Sequence, residues 1–174
     1  RNSANSGNSF SNENIVGSAD GSTSSFVEAT NDGSSNFYIS WMRLGNEQPR
    51  KIECARSANS GSSWNTPVNV DGIDNDDVNE FRASPFISAN SDRVIMFWSE
   101  TNSESGSSSD QDIVYSTSTN DGTSWSDYAD VSEHYYEADS GLPALAHSGD
   151  YIYLVYLDNG DNDQVNDPNG NDAD

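Results

Sequence analysis

Two stretches of this chain carry enough oxygen donors to hold a hard cation. One runs Asp71-Gly72-Ile73-Asp74-Asn75-Asp76-Asp77-Val78-Asn79-Glu80; the other is the tail from Asp158 through Asp161, Asp163, Asp167 and Asp172 to Asp174. Calcium takes six to eight oxygens, carboxylate and carbonyl, from flexible loops. Alternating Asp and Asn with Gly supplies them, and Asp71, Asp74, Asp76, Asp158, Asp161 and Asp163 are the candidate ligands. The tail lacks the Glu that closes a twelve-residue calcium loop. Bound calcium is one reading, and a solvated acidic linker is the other.

A second group, His134-Tyr135-Tyr136-Glu137, places a phenol beside a carboxylate. Neighbours on an extended chain point to opposite faces, so Tyr136 and Glu137 make a poor nucleophile pair. Aromatic contact with a sugar or a protein, or packing between elements, suits these residues better. The arginines are Arg1, Arg43, Arg50, Arg56, Arg82 and Arg93, at scattered positions. The lone Cys54 excludes an internal disulfide, and its alternation with Ile52 reads as a buried thiol packing as a small hydrophobe.

These groups sit on a very acidic frame, with 7 Lys+Arg against 29 Asp+Glu and a net charge of −22. Phosphate backbones and anionic membrane surfaces would be repelled, so nucleic acid is excluded as a partner. The charge suits a salty or calcium-rich exterior, outside the cell or on its surface, and equally a generic solubilising surface. The longest apolar run, Tyr151 to Leu157, is far too short to span a bilayer. The chain opens on Arg1 rather than Met, as a chain with a removed leader or an excised piece would.

The elements that position these residues repeat. The pattern Ser-x-Asn-x-Gly-x-Ser-aromatic occurs at Ser3 to Phe10, Ser57 to Trp64 and Ser118 to Trp125, spaced 54 and 61 residues apart. In it Asn5, Asn59 and Asn120 can fold back onto backbone N–H groups, and Gly7, Gly61 and Gly122 can supply positive φ. The flanking serines can tie the strand ends, and Phe10, Trp64 and Trp125 can drop a ring onto an apolar layer. These are structural roles.

Three aromatic, β-branched runs recur at a similar spacing: Phe37 to Trp41, Val94 to Trp98 and Ile152 to Tyr156. They read as strands, the second and third buried on both faces. Shorter strands precede them, at Phe26 to Thr30, Pro85 to Ala89 and Pro143 to His147. Lys51 to Arg56 and Asp112 to Thr117 follow them. A fourth strand comes after each turn, at Ser11 to Val16, Asn65 to Val70 and Ser126 to Val131. Four antiparallel strands per sixty residues, with no helical period, is the signature of a propeller blade. The expected architecture is all-β, with about three blades over residues 1–157, in units of about 1–56, 57–117 and 118–157. An acidic tail or linker follows at 158–174. Blades must stack on neighbours, so other blades or copies of the chain are expected partners; a segment of a larger protein is the preferred reading.

The repeats resemble the Asp-box, or BNR, repeats of the sialidase superfamily of β-propellers, Ser-x-Asp-x-Gly-x-Thr-Trp. The third copy matches at Ser118, Gly122 and Trp125, and the second at Ser57, Gly61 and Trp64. Asn120 and Asn59 stand where the family has Asp, Ser124 and Ser63 where it has Thr, and Phe10 replaces Trp in the first copy. The resemblance implies the fold over about residues 3 to 157. It implies an activity less firmly, because these repeats also occur in non-sialidase surface proteins. A sialidase would need convergent arginines, a Tyr–Glu pair and an Asp acid. Phe81-Arg82-Ala83-Ser84-Pro85 is similar to the family's Phe/Tyr-Arg-Ile-Pro stretch but has one residue too many before Pro85. The tail resembles the Asp/Asn-rich calcium repeats of thrombospondin-like linkers. The expected function is an extracellular or surface propeller segment with a binding or structural role, taking a glycan or protein ligand and stabilised by calcium. The alternative is part of an exo-sialidase-like hydrolase, and enzyme activity is the less favoured reading.

Overall fold

The structure, a computed structural model, describes residues 1, 3, 5–11, 13–17, 22–44, 50–71, 82–101, 111–132, 140–148 and 151–158. All regular elements among them are strands: β1 (Thr23–Asn31), β2 (Phe37–Leu44), β3 (Lys51–Ser57), β4 (Val68–Asn69), β5 (Arg82–Ala89), β6 (Val94–Thr101), β7 (Gln111–Ser118), β8 (Ala129–Asp130), β9 (Ser140–Ser148) and β10 (Tyr151–Asp158). They form two four-stranded antiparallel sheets, β1-β2-β3-β4 and β5-β6-β7-β8, and a hairpin, β9-β10. β1 packs beside β5, and β5 beside β9. The first strand of each sheet therefore lies innermost, and the sheets fan out from it.

The antiparallel registers give the molecule two ends. Thr23 pairs with Leu44, Arg43 with Lys51, and Glu53 with Asn69. The start of each inner strand thus shares an end with the finish of the second strand, the start of the third and the finish of the fourth; this is called the upper end here. The eight-residue turns join third to fourth strands, so they sit at the lower end.

The turns at Ser57 and Ser118 are built alike, and so is the one at Ser3. Asn5, Asn59 and Asn120 each accept the amide of Ser9, Ser63 or Ser124 on Oδ1 at 2.9 Å. Each also donates from Nδ2 to that serine's hydroxyl at 2.8 Å. The opening serine donates to the Asn Oδ1 at 2.9 Å and accepts the Gly amide at 2.8 to 2.9 Å. Two consecutive residues take positive φ, such as Asp121 at 58° and Gly122 at 75°, and the Thr123 amide reaches the Asn120 carbonyl at 3.2 Å. That is a type I′ turn, set within the longer connection from the third strand to the fourth.

The sheets bury their faces against each other. Tyr38, Met42, Ile52, Cys54 and Val70 of the first sheet pack with Ile87, Val94, Met96, Trp98 and Val114 of the second, and Trp125 packs against them. Ile95, Phe97 and Ile113 on the second sheet's other face meet Leu145, Leu154 and Tyr156 of the hairpin. Every residue of β6 is buried. β10 departs from the expected two-sided burial: Tyr151, Tyr153, Val155 and Leu157 are exposed. Its apolar composition resembles that of β6, but nothing among the described residues covers its outer face. Burial pushes the Cys54 thiol up to about 12, so the buried thiol is protonated and inert.

The fourth strands are shorter than expected, with two-residue ladders instead of six. Pro67 has no N–H to give the ladder at the first. The chain instead closes the turn with single bonds, Asn65 N to Arg56 O and Ser126 N to Thr117 O, both 2.9 Å. The stretch 11–16 has no strand among its described residues.

Candidate functional site

The inner strands share an irregularity that no common residue type marks. The register slips between Ser25 and Glu28 in β1, and between Ala83 and Phe86 in β5. It slips again opposite Val155 and Leu157, between Gly141 and Ala144 of β9. At each bulge a non-glycine residue takes positive φ: Phe26 at 54°, Ser84 at 55° and Leu142 at 51°. These three positions lie 58 residues apart in sequence and side by side in space. Such backbone costs about 1–3 kcal/mol per residue, and strained residues cluster at functional sites. Bulges are also over-represented beside active sites, where they re-aim side chains.

The bulges surround an open cleft of about 280 Å³, lined by Phe26, Glu28, Ser84, Pro85, Phe86 and Leu142 together with Pro143 and Ala144. Phe26 and Leu142 are more than half exposed, while Pro85 and Pro143 are fully buried beneath them. The cleft thus has a rigid proline floor, two aromatic rings and one half-buried carboxylate. At the positions equivalent to Glu28, β5 has Phe86 and β9 has Ala144, so the charge is single within the repeat. Apolar surface with one hydrogen-bonding carboxylate can stack on the C–H face of a sugar and accept from its hydroxyls.

A buried polar cluster supports the upper end of the second sheet. Glu100 and Asp112 face each other across β6 and β7, both buried. Glu100 Oε2 accepts the Trp98 indole at 2.7 Å, and Asp112 Oδ1 accepts the Ser132 hydroxyl at 3.2 Å. Ser132 Oγ in turn accepts the Ile113 amide at 2.8 Å. The first sheet solves the same problem with Asp71, whose Oδ2 accepts the Ile52 amide at 3.1 Å. Its indole, Trp41, donates to Glu53 Oε2 at 2.8 Å, and Arg43 pairs with the same carboxylate at 3.2 Å.

Of the candidate cation ligands, Asp71 is buried and commits one oxygen to that strand end, and Asp158 closes β10. Asp74, Asp76, Asp161 and Asp163 lie outside the described residues, as do Phe81 and the His134–Glu137 group. Among the described residues no group of three or more His, Cys, Asp or Glu is arranged to hold a metal. Arg82 lies in β5 opposite Glu100, at the upper end. Arg43 is held by Glu53, and Arg56 pairs with Asp121 at 3.0 Å, so these two do not converge on the cleft. Sequence reasoning missed Glu28, Phe26 and Leu142. Their signal is the repeat offset of 58 residues, together with Pro85 and Pro143 directly after two of the three bulge positions.

No family model matches the chain, and no curated protein does either. Solved structures do. The fold is that of a β-propeller. A Penicillium chrysogenum alpha-L-arabinanase, complexed with arabinobiose, superposes with a TM-score of 0.51 at 15% identity, over 71% of this chain and 36% of that one. A GH93 alpha-L-arabinofuranosidase of Fusarium graminearum, also with arabinobiose, covers 63% of this chain and 31% of its own at 19% identity, TM-score 0.46. The chain thus spans about a third of the length of these neighbours. At such identity the likeness shows the fold alone, here a partial propeller whose blades are the sheets described above. No helix among the described residues is long and apolar enough to cross a membrane.

Proposed function

We propose that the chain is part of a carbohydrate-binding propeller with Asp-box repeats, and that the cleft among its inner strands takes a neutral sugar. The observation that carries this is the convergence of three equivalent bulges on one cleft with Phe26, Phe86, Leu142 and a single carboxylate, Glu28. A net charge of −22 with Glu28 in the cleft repels sialic acid and other acidic sugars and favours neutral ones. The arabinobiose in the structurally similar arabinanase is of that neutral class. The asparagine-for-aspartate turns, closed by their own side chains, support the Asp-box reading.

Titration of neutral arabino-oligosaccharides and of sialyllactose, followed calorimetrically, tests the proposal. The neutral sugars are expected to bind, and Phe26→Ala to weaken them about three- to tenfold through the lost stacking. Preference for sialyllactose, or equal binding by the variant, would overturn it. A second reading, a sialidase-like glycoside hydrolase, draws on the likeness to glycoside hydrolases. Glycoside hydrolysis uses two carboxylates flanking the bond, and Glu28 would be one of them. Turnover of a fluorogenic arabinoside or sialoside, abolished in Glu28→Gln, would favour that reading.

The same proposal places the protein outside the cell or on its surface, with calcium held by the acidic stretches at 71–80 and 158–174. The density of Asp and Asn there supports it. A chelator is then expected to lower the thermal midpoint, and an unchanged midpoint would remove calcium from the account.

A further inference from the structure

The three bulge positions share a backbone and a cleft but not a size. Phe26, Ser84 and Leu142 take φ of 54°, 55° and 51°, and all three line the cleft. Phe26 and Leu142 are large and stand 51% and 63% exposed, whereas Ser84 is 8% exposed. β5 packs beside β1 and beside β9, so Ser84 is the bulge residue with a described inner strand on either side. A small side chain there leaves a gap between two apolar walls. Pro85 and Pro143 lie buried beneath it, and their fixed φ keeps the gap from closing by backbone adjustment. The backbone does not demand serine at this place, because Phe26 and Leu142 hold the same conformation.

Two side chains lining the cleft can hydrogen-bond a ligand, Ser84 and Glu28, and neither has a side-chain partner among the described residues. An ionised carboxylate only accepts, while a hydroxyl both donates and accepts. A ligand seated in the gap must therefore offer a hydroxyl to Glu28, a second oxygen to Ser84 and an apolar face to Phe26 and Leu142. A sugar ring carries all three. A ligand without hydroxyls would leave both groups desolvated and unpaired, which lowers its affinity. We infer that Ser84 determines what the cleft accepts: its small size admits the ring of a neutral sugar between Phe26 and Leu142, and its hydroxyl bonds one sugar oxygen while Glu28 accepts from another. This selectivity rests on the carbohydrate reading of the cleft proposed above.

Calorimetric titration of neutral arabino-oligosaccharides into wild type, Ser84→Ala and Ser84→Leu separates the hydroxyl from the space. Ser84→Ala keeps the gap and loses the hydrogen bond, and it is expected to weaken binding about three- to tenfold. Ser84→Leu places on this backbone the side chain that Leu142 already carries on its own. It fills the gap, and it is expected to remove measurable binding while circular dichroism shows the fold kept. Wild-type affinity in Ser84→Ala overturns the inference, and so does a folded Ser84→Leu that still binds. In either case the sugars still bind wild type, so the carbohydrate reading of the cleft stands. A wild type that binds none of these sugars overturns that reading and the inference with it. Should Ser84→Leu fail to fold, Ser84→Ala decides alone.

Discussion

The turns at 118–125 and 3–10 make one set of hydrogen bonds in two different settings. In both, the asparagine, the two serines and the glycine amide meet within 0.1 Å of the same distances. Around Ser118 the turn closes over a core: Trp125 packs against the inter-blade cluster, and Gly122 lies against Tyr38. Around Ser3 no such packing is present among the described residues, and Phe10 is 63% exposed. The pattern therefore encodes a local shape. What that shape is worth depends on the surface beneath its aromatic residue.

Removing the ring gives the largest difference between the two turns. Trp125→Ala is expected to cost about 2–4 kcal/mol, below the full value for a wholly buried tryptophan because the residue is only partly buried. Phe10→Ala should stay within about 0.5 kcal/mol of wild type. Denaturant unfolding of both measures the contrast, and equal losses would show that the first turn is also packed.

Much of this architecture was legible, and the reason is periodicity. Strands announce themselves by β-branched and aromatic runs, and turns by Asn and Gly at fixed offsets, because those residues act locally. The ladder at the fourth strands was not legible, since it depends on where the chain leaves the turn. Burial of β10 was not legible either, because Tyr151, Tyr153, Val155 and Leu157 have the composition of a core strand and only a neighbour could cover them. The cleft was hidden for a different reason. Phe26, Ser84 and Leu142 share a backbone conformation but no chemistry, so no residue type marked the bulge. Pro85 and Pro143, which follow two of the three, were the available signal.

Breaking the hydrogen-bond set separates the turns less strongly. Asn120→Ala removes the acceptor for Ser124 N and for the hydroxyl of Ser118, which is itself buried. Leaving the Ser118 O–H without its acceptor, while its oxygen still takes the Gly122 amide, should cost about 1–2 kcal/mol. At roughly 2–4 °C per kcal/mol for a chain of this size, the midpoint should fall by a few degrees. Asn5→Ala breaks the same bonds in solvent, which replaces them, and the midpoint should not move measurably. A matching fall in both would mean that the turn stabilises the fold by shape alone, irrespective of what lies under it.

The smallest effect concerns the ion pair that only the third turn makes. Asp121 reaches Arg56 of the preceding blade at 3.0 Å, with the carboxylate side chain half exposed. Exposed pairs contribute at most about 1 kcal/mol, and salt screens them. Asp121→Asn should therefore lower stability slightly in dilute buffer, and the difference from wild type should shrink as salt rises. The sign is not trivial in this protein. Twenty-nine acidic side chains repel one another, so removing a carboxylate elsewhere on the surface relieves repulsion and should stabilise. Exchanging Asp127, an exposed acid of the same blade, provides that comparison. If Asp121→Asn stabilises as Asp127→Asn does, the pair across the seam contributes nothing and Gly122 over Tyr38 holds the turn alone. If Asp121→Asn destabilises at low salt while Asp127→Asn stabilises, the charge specifies which turn docks on which blade.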